Sequence, residues 1–462
     1  MKKTLYASIA LIFFANPLFI APARADFELG ALYYEKGNFE KAFKEFLDDA
    51  KLGDHDAQYN LGAMYYRGEH VAKDKALAYA WMLLATQEPT YKSEGLAEKI
   101  FQKLNAAEQK SAQEKYQAIV AEYSDQAVEK RITPNFTGKS LTVKDNRIIK
   151  SVNPIFPQSM IKEGVSATVD ITYTIDKNGF TRDHVLTYSP SKNFTRATIE
   201  ALRQYQYEPT IVNGKPVDVN GFRLRMNYRV GNMNFSKTKI AQIVDELREK
   251  AKTGGQDDKI GFAYFLESIP SLRSDYELVD NPNEWYVNAA NQGSGAASFF
   301  LGRNILYGKM CQQDNAQSMA WLLKAAKQGV SDAQYMLALE SFSGVQFEKN
   351  EEKGFYWLEK AAANSDAAKI RYAWVLATHP KDELRNGGKA LTYLEGFDGD
   401  YPDKQSLYQT QAAVAAENGD FKQALKWQEK ALDDAGKIKL PTTIIEQRLG
   451  SYTNKTAWRE EI

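Results

Sequence analysis

The sequence runs to 462 residues and balances 59 Lys and Arg against 59 Asp and Glu. Such neutrality leaves no global field to gather nucleic acid or an anionic membrane, so partners must be recognised locally. The single cysteine, Cys311, allows no internal disulfide, and stability must come from apolar cores, for which the length is ample.

Lys2 and Lys3 precede an apolar run from Leu5 to Ile20, and Ala23-Arg24-Ala25 ends it with small residues where a signal peptidase reads. The pattern predicts a secretory signal over 1–25, cleaved after Ala25. The run falls short of the ~20 apolar residues that span a bilayer, and Asn16-Pro17 interrupts it. An uncleaved membrane anchor is the alternative. Cys311 lies too far downstream to be a lipid-modified cysteine at the mature N-terminus.

From Phe27 the sequence repeats. Leu29-Gly30 recurs as Leu61-Gly62, Leu301-Gly302 and Leu337-Ala338. Trp285, Trp321, Trp357 and Tyr393 stand 36 residues apart, and Trp427 follows after 34. Glu45 and Trp81 keep the same spacing of 36. A fixed period of this size predicts helical pairs stacked into a solenoid. Ala57 and Gly62 admit a close neighbour, Leu61 and Tyr65 fill between helices, Gly68 closes the first helix, and Asp74 caps the second. The second helix buries Ala78, Trp81 and Ala85. These units resemble Sel-one-like repeats, relatives of the tetratricopeptide repeat, and Gly419 to Trp427 is closer to a true tetratricopeptide. The resemblance implies binding of other proteins through a concave face. Ser93 to Ser124 reads as a helical cap, and Arg131 to Lys139, with Pro134 and Gly138, as a hinge.

The one long β stretch is Pro154 to Val230. Val165, Ala167, Val169, Ile171, Tyr173 and Ile175 alternate with Ser166, Thr168, Asp170, Thr172 and Thr174, the pattern of a half-buried strand. Asp176-Lys177-Asn178-Gly179 turns it into a second strand through Val185, Leu186 and Tyr188. Phe194, Ala197, Ala201, Leu202 and Tyr205 form the apolar side of a helix, with Arg196, Glu200, Arg203 and Gln204 on its other faces and Pro209 beyond its end. Phe222, Leu224, Met226, Tyr228 and Val230 then alternate with Arg223, Arg225, Asn227 and Arg229 in a third strand. The order is strand, strand, helix, strand.

Together with Pro154-Ile155-Phe156-Pro157, Gly164, Ala201 to Pro209 and Asn213-Gly214-Lys215-Pro216, this unit resembles the periplasmic C-terminal domain of the TonB energy transducers. Tyr205 stands where that family usually has Trp, another large aromatic able to pack under the sheet. The resemblance implies a third strand that receives an extended peptide by strand addition, as the family does with the short box of outer-membrane receptors. Candidate contacts are Phe222, Arg223, Leu224, Arg225, Met226, Tyr228 and Arg229. The arginine row reads either as a clasp for acidic groups of a partner or as a soluble outer face that discourages edge pairing. The transducers also carry a membrane anchor with a coupling histidine and a Pro-rich spacer; here no histidine precedes His55, and repeats stand in place of the spacer.

Beyond the β unit, Lys237 to Lys252 and Asp258 to Glu267 read as two helices, with Pro270 and Pro282 framing a connection. The four histidines, His55, His70, His184 and His379, have no metal-ligand spacing. No nucleophile elbow, phosphate loop or dinucleotide fingerprint occurs. Asp48-Asp49 and Asp433-Asp434 read as solvated faces. No catalytic, cofactor or metal site is expected, and no small-molecule substrate.

The sequence thus predicts a mainly α protein with an inserted α+β domain: a signal over 1–25, repeats with a cap over 26–130, a TonB-type domain over 140–231, a helical linker over 232–282, and a second repeat array over 283–462. The expected function is a periplasmic, non-catalytic adaptor whose partners are envelope proteins, TonB-dependent receptors among the candidates. The alternative is an atypical energy transducer held at the inner membrane and supporting transport through those receptors. Intact mass of the purified chain separates the two: we expect a mature N-terminus at Asp26, and a retained leader indicates the anchored form.

Overall fold

The computed structural model describes residues 27–87, 95–137, 147–163, 167–229, 236–397 and 401–460. The expected signal over 1–25 lies outside these residues, as do Ser93, Gly138, Gly164 to Ser166 and Val230. The chain divides into two compact units that meet in sequence at Thr133 and Pro134.

The first unit holds helices α1 (Phe27–Glu35), α2 (Phe39–Ala50), α3 (His55–Arg67), α4 (Lys75–Ala85), α5 (Leu96–Phe101), α6 (Ala106–Tyr123) and α7 (Asp125–Ile132). Local chemistry sets their ends. Asp54 and Asp74 accept the backbone N–H groups of Ala57 and Leu77, both at 2.8 Å, and so satisfy donors that the first helical turn leaves open. Gly68 ends α3 in the left-handed conformation at φ 77°, which costs a residue without Cβ little. Gly62 lets α4 approach: a Cβ there meets Met82 Cγ at 2.7 Å. Trp81 is buried and stacks on Tyr123, ring centres 5.4 Å apart.

The second unit opens with β1 (Ile148–Lys150), α8 (Gln158–Lys162), β2 (Ala167–Ile175), β3 (Thr181–Tyr188), α9 (Lys192–Leu202), β4 (Gln206–Tyr207), β5 (Thr210–Val212), β6 (Lys215–Val217) and β7 (Val219–Tyr228). The main sheet has the order β3-β2-β7, all antiparallel. Asp176 shapes the first hairpin by accepting the N–H groups of Asn178 and Phe180, and Gly179 takes φ 85°. The alternation of β2 puts Val169, Ile171, Tyr173 and Ile175 against Phe194, Ile199 and Leu202 of α9, with Tyr205 and Tyr228 closing the core. Sequence periodicity missed β1, β4 and the β5-β6 hairpin, because strands of two or three residues are too short to show a period of two.

The remaining helices are α10 (Lys237–Thr253), α11 (Gln256–Leu272), α12 (Pro282–Asn291), α13 (Gly295–Leu306), α14 (Asn315–Lys327), α15 (Ser331–Ser343), α16 (Glu351–Ala362), α17 (Asp366–Thr378), α18 (Gly387–Leu394), α19 (Lys404–Glu417), α20 (Phe421–Lys437) and α21 (Thr443–Thr453). Buried Trp321 and Trp357 repeat along the array. A Cβ on Gly302 meets Leu322 at 3.0 Å, the counterpart of Gly62 against Met82. α11 runs further than the sequence suggests and contains Pro270. Leu266 and Ile269 are buried against Ile240 and Val244 of α10, and this packing carries the helix through the bond that proline removes.

Candidate functional site

β2 is buried on both faces, not one. Asp170 and Thr174 on its polar side are as inaccessible as Val169 and Ile171 on its apolar side, each at 0% exposure. The cover comes from the helices that follow the sheet in sequence. The odd-numbered ones from α11 onward present side chains to it in turn: Tyr264, Glu267 and Ser271 from α11, Phe299 and Arg303 from α13, Tyr335 and Leu339 from α15, and Arg371 from α17, while Asp403 at the start of α19 meets the β3 edge.

Asp170 is the centre of this packing. Its carboxylate accepts Arg223 Nε at 2.6 Å, Arg225 Nη2 at 2.9 Å and the Tyr264 hydroxyl at 2.8 Å. Arg223 also donates to Glu267, which accepts Asn304 Nδ2 at 2.6 Å. Arg225 lies over the Tyr264 ring, 4.3 Å from its centre, a cation–π contact strengthened by exclusion of water. Burial alone raises the Asp170 carboxyl, but the Arg223 bond and the charges of Arg223 and Arg225 outweigh it and hold the group well below the usual carboxylate range. Burial likewise opposes ionisation of Glu267, while Arg223 and Arg303 bring it down to about 2. The junction is therefore ionic at neutral pH.

Farther along, Tyr307 donates to the Asn220 carbonyl at 2.6 Å. Gly221 takes φ 76° at this contact, and a Cβ there falls 2.0 Å from the Tyr307 hydroxyl, so β7 needs glycine where the array touches its backbone. At the other edge, Asp403 pairs with Arg203 and with His184 Nδ1, the latter at 2.7 Å, while His184 Nε2 sits 3.0 Å from Thr181 Oγ1. Threonine, histidine and aspartate in line have the connectivity of a nucleophile with its base. Here Thr181 is buried and also donates to the Leu202 carbonyl at 2.9 Å, so the chain of bonds joins the sheet to the array. Burial and the nearby Arg203 push the His184 imidazole down to about 3, which keeps it neutral.

The predicted site residues separate into two groups. Phe222, Leu224 and Met226 are half-buried on the core side, and Tyr228 is buried there. Arg223 and Arg225 point the other way and are nine-tenths buried, which corrects both readings of an arginine row facing solvent. Their charges are taken by Asp170 and Glu267 of the same chain. Arg203, expected on a face of the helix other than its apolar side, is likewise buried, against Asp403. Arg229 is exposed just past the end of β7. Asp170, Tyr264, Glu267, Arg303 and Asp403 were not singled out from sequence. The one available signal was Asp170 itself, the only acid on the polar side of β2, opposite Arg225 in register.

Among the described residues, no cluster of His, Cys, Asp and Glu suits a metal ion, and no helix is long and apolar enough to cross a membrane.

Residues 152–230 match the family of the Gram-negative bacterial TonB protein C-terminal. Sel1 repeats match at 55–88, 295–330 and 331–366, on both sides of the TonB-type domain. Among solved structures, a Sel1 repeat protein from Oxalobacter formigenes is 20% identical, with 42% of this chain and 84% of that chain covered and a TM-score of 0.32. The protective antigen c5321, present in uropathogenic Escherichia coli strains and displaying an SLR fold, is 16% identical, with 94% and 84% covered and a TM-score of 0.30. No curated protein matches the chain. The chain is thus a mainly helical repeat protein that carries a TonB-type domain.

Two measurements probe the junction. Asp170→Ala leaves Arg223 and Arg225 buried without their carboxylate, and we expect a loss of about 3–5 kcal/mol in chemical denaturation. The second concerns pH. The folded-state pKa of His184 lies below its unfolded value, so its contribution is complete above about pH 6.5 and is lost as pH falls toward 3. In His184→Gln, the decline of stability over that window is expected to be shallower than in the parent chain.

Proposed function

We propose that this chain is a non-catalytic adaptor of the cell envelope whose TonB-type domain docks an extended partner peptide along β7. The observation that carries this reading is the strand order β3-β2-β7. β7 is bonded to β2 on one side, and among the described residues no strand pairs with its other side. An open row of backbone donors and acceptors recruits extended chain, with side-chain pockets on alternate positions adding selectivity. Phe222, Leu224 and Met226 offer half-buried apolar ground on one side of that edge, while Arg223 and Arg225 brace the strand from behind.

The family of the central domain supports a periplasmic location and envelope proteins as partners, with the extended segments of TonB-dependent receptors as candidates. Repeats of the Sel1 type are protein-binding modules, which supports an adaptor over an enzyme. The second array already holds the polar face of the sheet, so the TonB-type domain works as part of one body with α10–α21.

The edge is tested on the full chain by placing a photo-crosslinking residue at Leu224 in the producing cell and identifying the attached peptide. Adjacent residues of a strand alternate in the side to which their N–H points, so proline is introduced separately at Met226 and Asn227. We expect the variant that keeps its circular dichroism to lose the adduct by about tenfold or more. Undiminished crosslinking in that folded variant overturns strand addition.

A further inference from the structure

β3 is the other edge of the main sheet: it is bonded to β2, and among the described residues no strand pairs with its outer side. A cleft of about 710 Å³ lies against it, within the range of about 300–1,000 Å³ usual for clefts that enclose a ligand. Its two walls differ. Leu186 is in register with Ile171, on the core side of β2, and shares its wall with Ile199 of α9. It is 45% exposed. Val185 is in register with Thr172 and faces the opposite wall, made by the first turns of α15 and α17 with Asp332 and Asp366. An apolar strip and an acidic one thus flank a single strand edge.

Asp366 is paired with Lys369 at 3.1 Å. Asp332 is half-buried and, among the described residues, has neither a hydrogen bond nor an ion pair. Burial pushes its carboxyl up to about 6, and Arg303, which offsets part of this, is held by Glu267 at 3.6 Å. A carboxylate drawn partly out of water without a partner is costly, and a cation entering the cleft relieves that cost. Glu395 adds a third acid to the lining. Lys192 stands at the start of α9, so positive charge is disfavoured on the apolar side and favoured on the other.

We propose that this cleft docks an extended peptide as an added strand on β3, with apolar side chains toward Leu186 and Ile199 and lysine or arginine toward Asp332. Successive side chains of a strand point to opposite faces, so the recognised pattern alternates apolar and basic residues. The site is separate from the edge of β7 and stands independently of a peptide bound there.

The probe is an acetylated octapeptide of alternating valine and lysine, labelled with fluorescein and titrated into the full chain by anisotropy. We expect saturable binding that weakens as salt is raised, and much weaker binding of the valine–glutamate counterpart. Asp332→Asn removes the charge without breaking an ion pair and is expected to weaken binding about tenfold. Leu186→Lys, at an exposed position, is expected to do the same, both with circular dichroism unchanged. N-methylation of alternate residues deletes the N–H donors on one side of the peptide, and one of the two methylated forms is expected to lose binding. Absence of a saturable response to the valine–lysine peptide overturns the proposal, as does full affinity in either folded variant. Equal binding of the valine–glutamate peptide overturns the basic assignment, and full affinity of both methylated forms overturns strand addition. The folded proline variant of β7 is expected to keep its affinity for the probe; loss there places the peptide on β7 and overturns this site.

Discussion

The burial of Asp170 governs the second unit. A carboxylate at 0% exposure in the middle strand of a sheet is tolerable only when every oxygen is met by donors and its charge by cations. β7 supplies Arg223 and Arg225 from the same face, and α11 supplies Tyr264. Arg223 in turn needs Glu267, and Glu267 draws in Asn304 of α13. Each partner makes the next necessary, so an acid in one strand ends by fastening a small sheet to a helical array.

That fastening changes what each module offers. A repeat array by itself presents a surface to other proteins, and a TonB-type sheet by itself presents a polar face to water. Here the odd-numbered helices and the polar face satisfy each other. Among the described residues the outer side of β7 pairs with no further strand, with apolar residues toward the core and arginines locked behind.

Much of the fold was legible in the sequence. The period of 36 marked the helical pairs, the small residue at Gly62 marked a close crossing, and the alternation from Ala167 to Ile175 with the Asp176 to Gly179 turn marked the hairpin. All of these are local, since capping, turn chemistry and side-chain period act within a few residues of one another. The short strands β1, β4, β5 and β6 escaped because they are held by pairing and carry too few residues for a pattern.

The site was legible only in part, and for a physical reason. Alternation says that Arg223 and Arg225 share a face; it does not say whether water or another element lies against it. A buried ion pair and a solvated charge look the same in one dimension, because what separates them is a partner 44 to 55 residues away, as with Glu267 and Asp170. The sequence by itself determined the modules, their order and the apolar sides of their helices and strands, through rules that operate at short range. Only the tertiary structure decided that the polar side of the sheet is an interior surface, since that depends on the array returning to cover it and on charges of opposite sign meeting out of water.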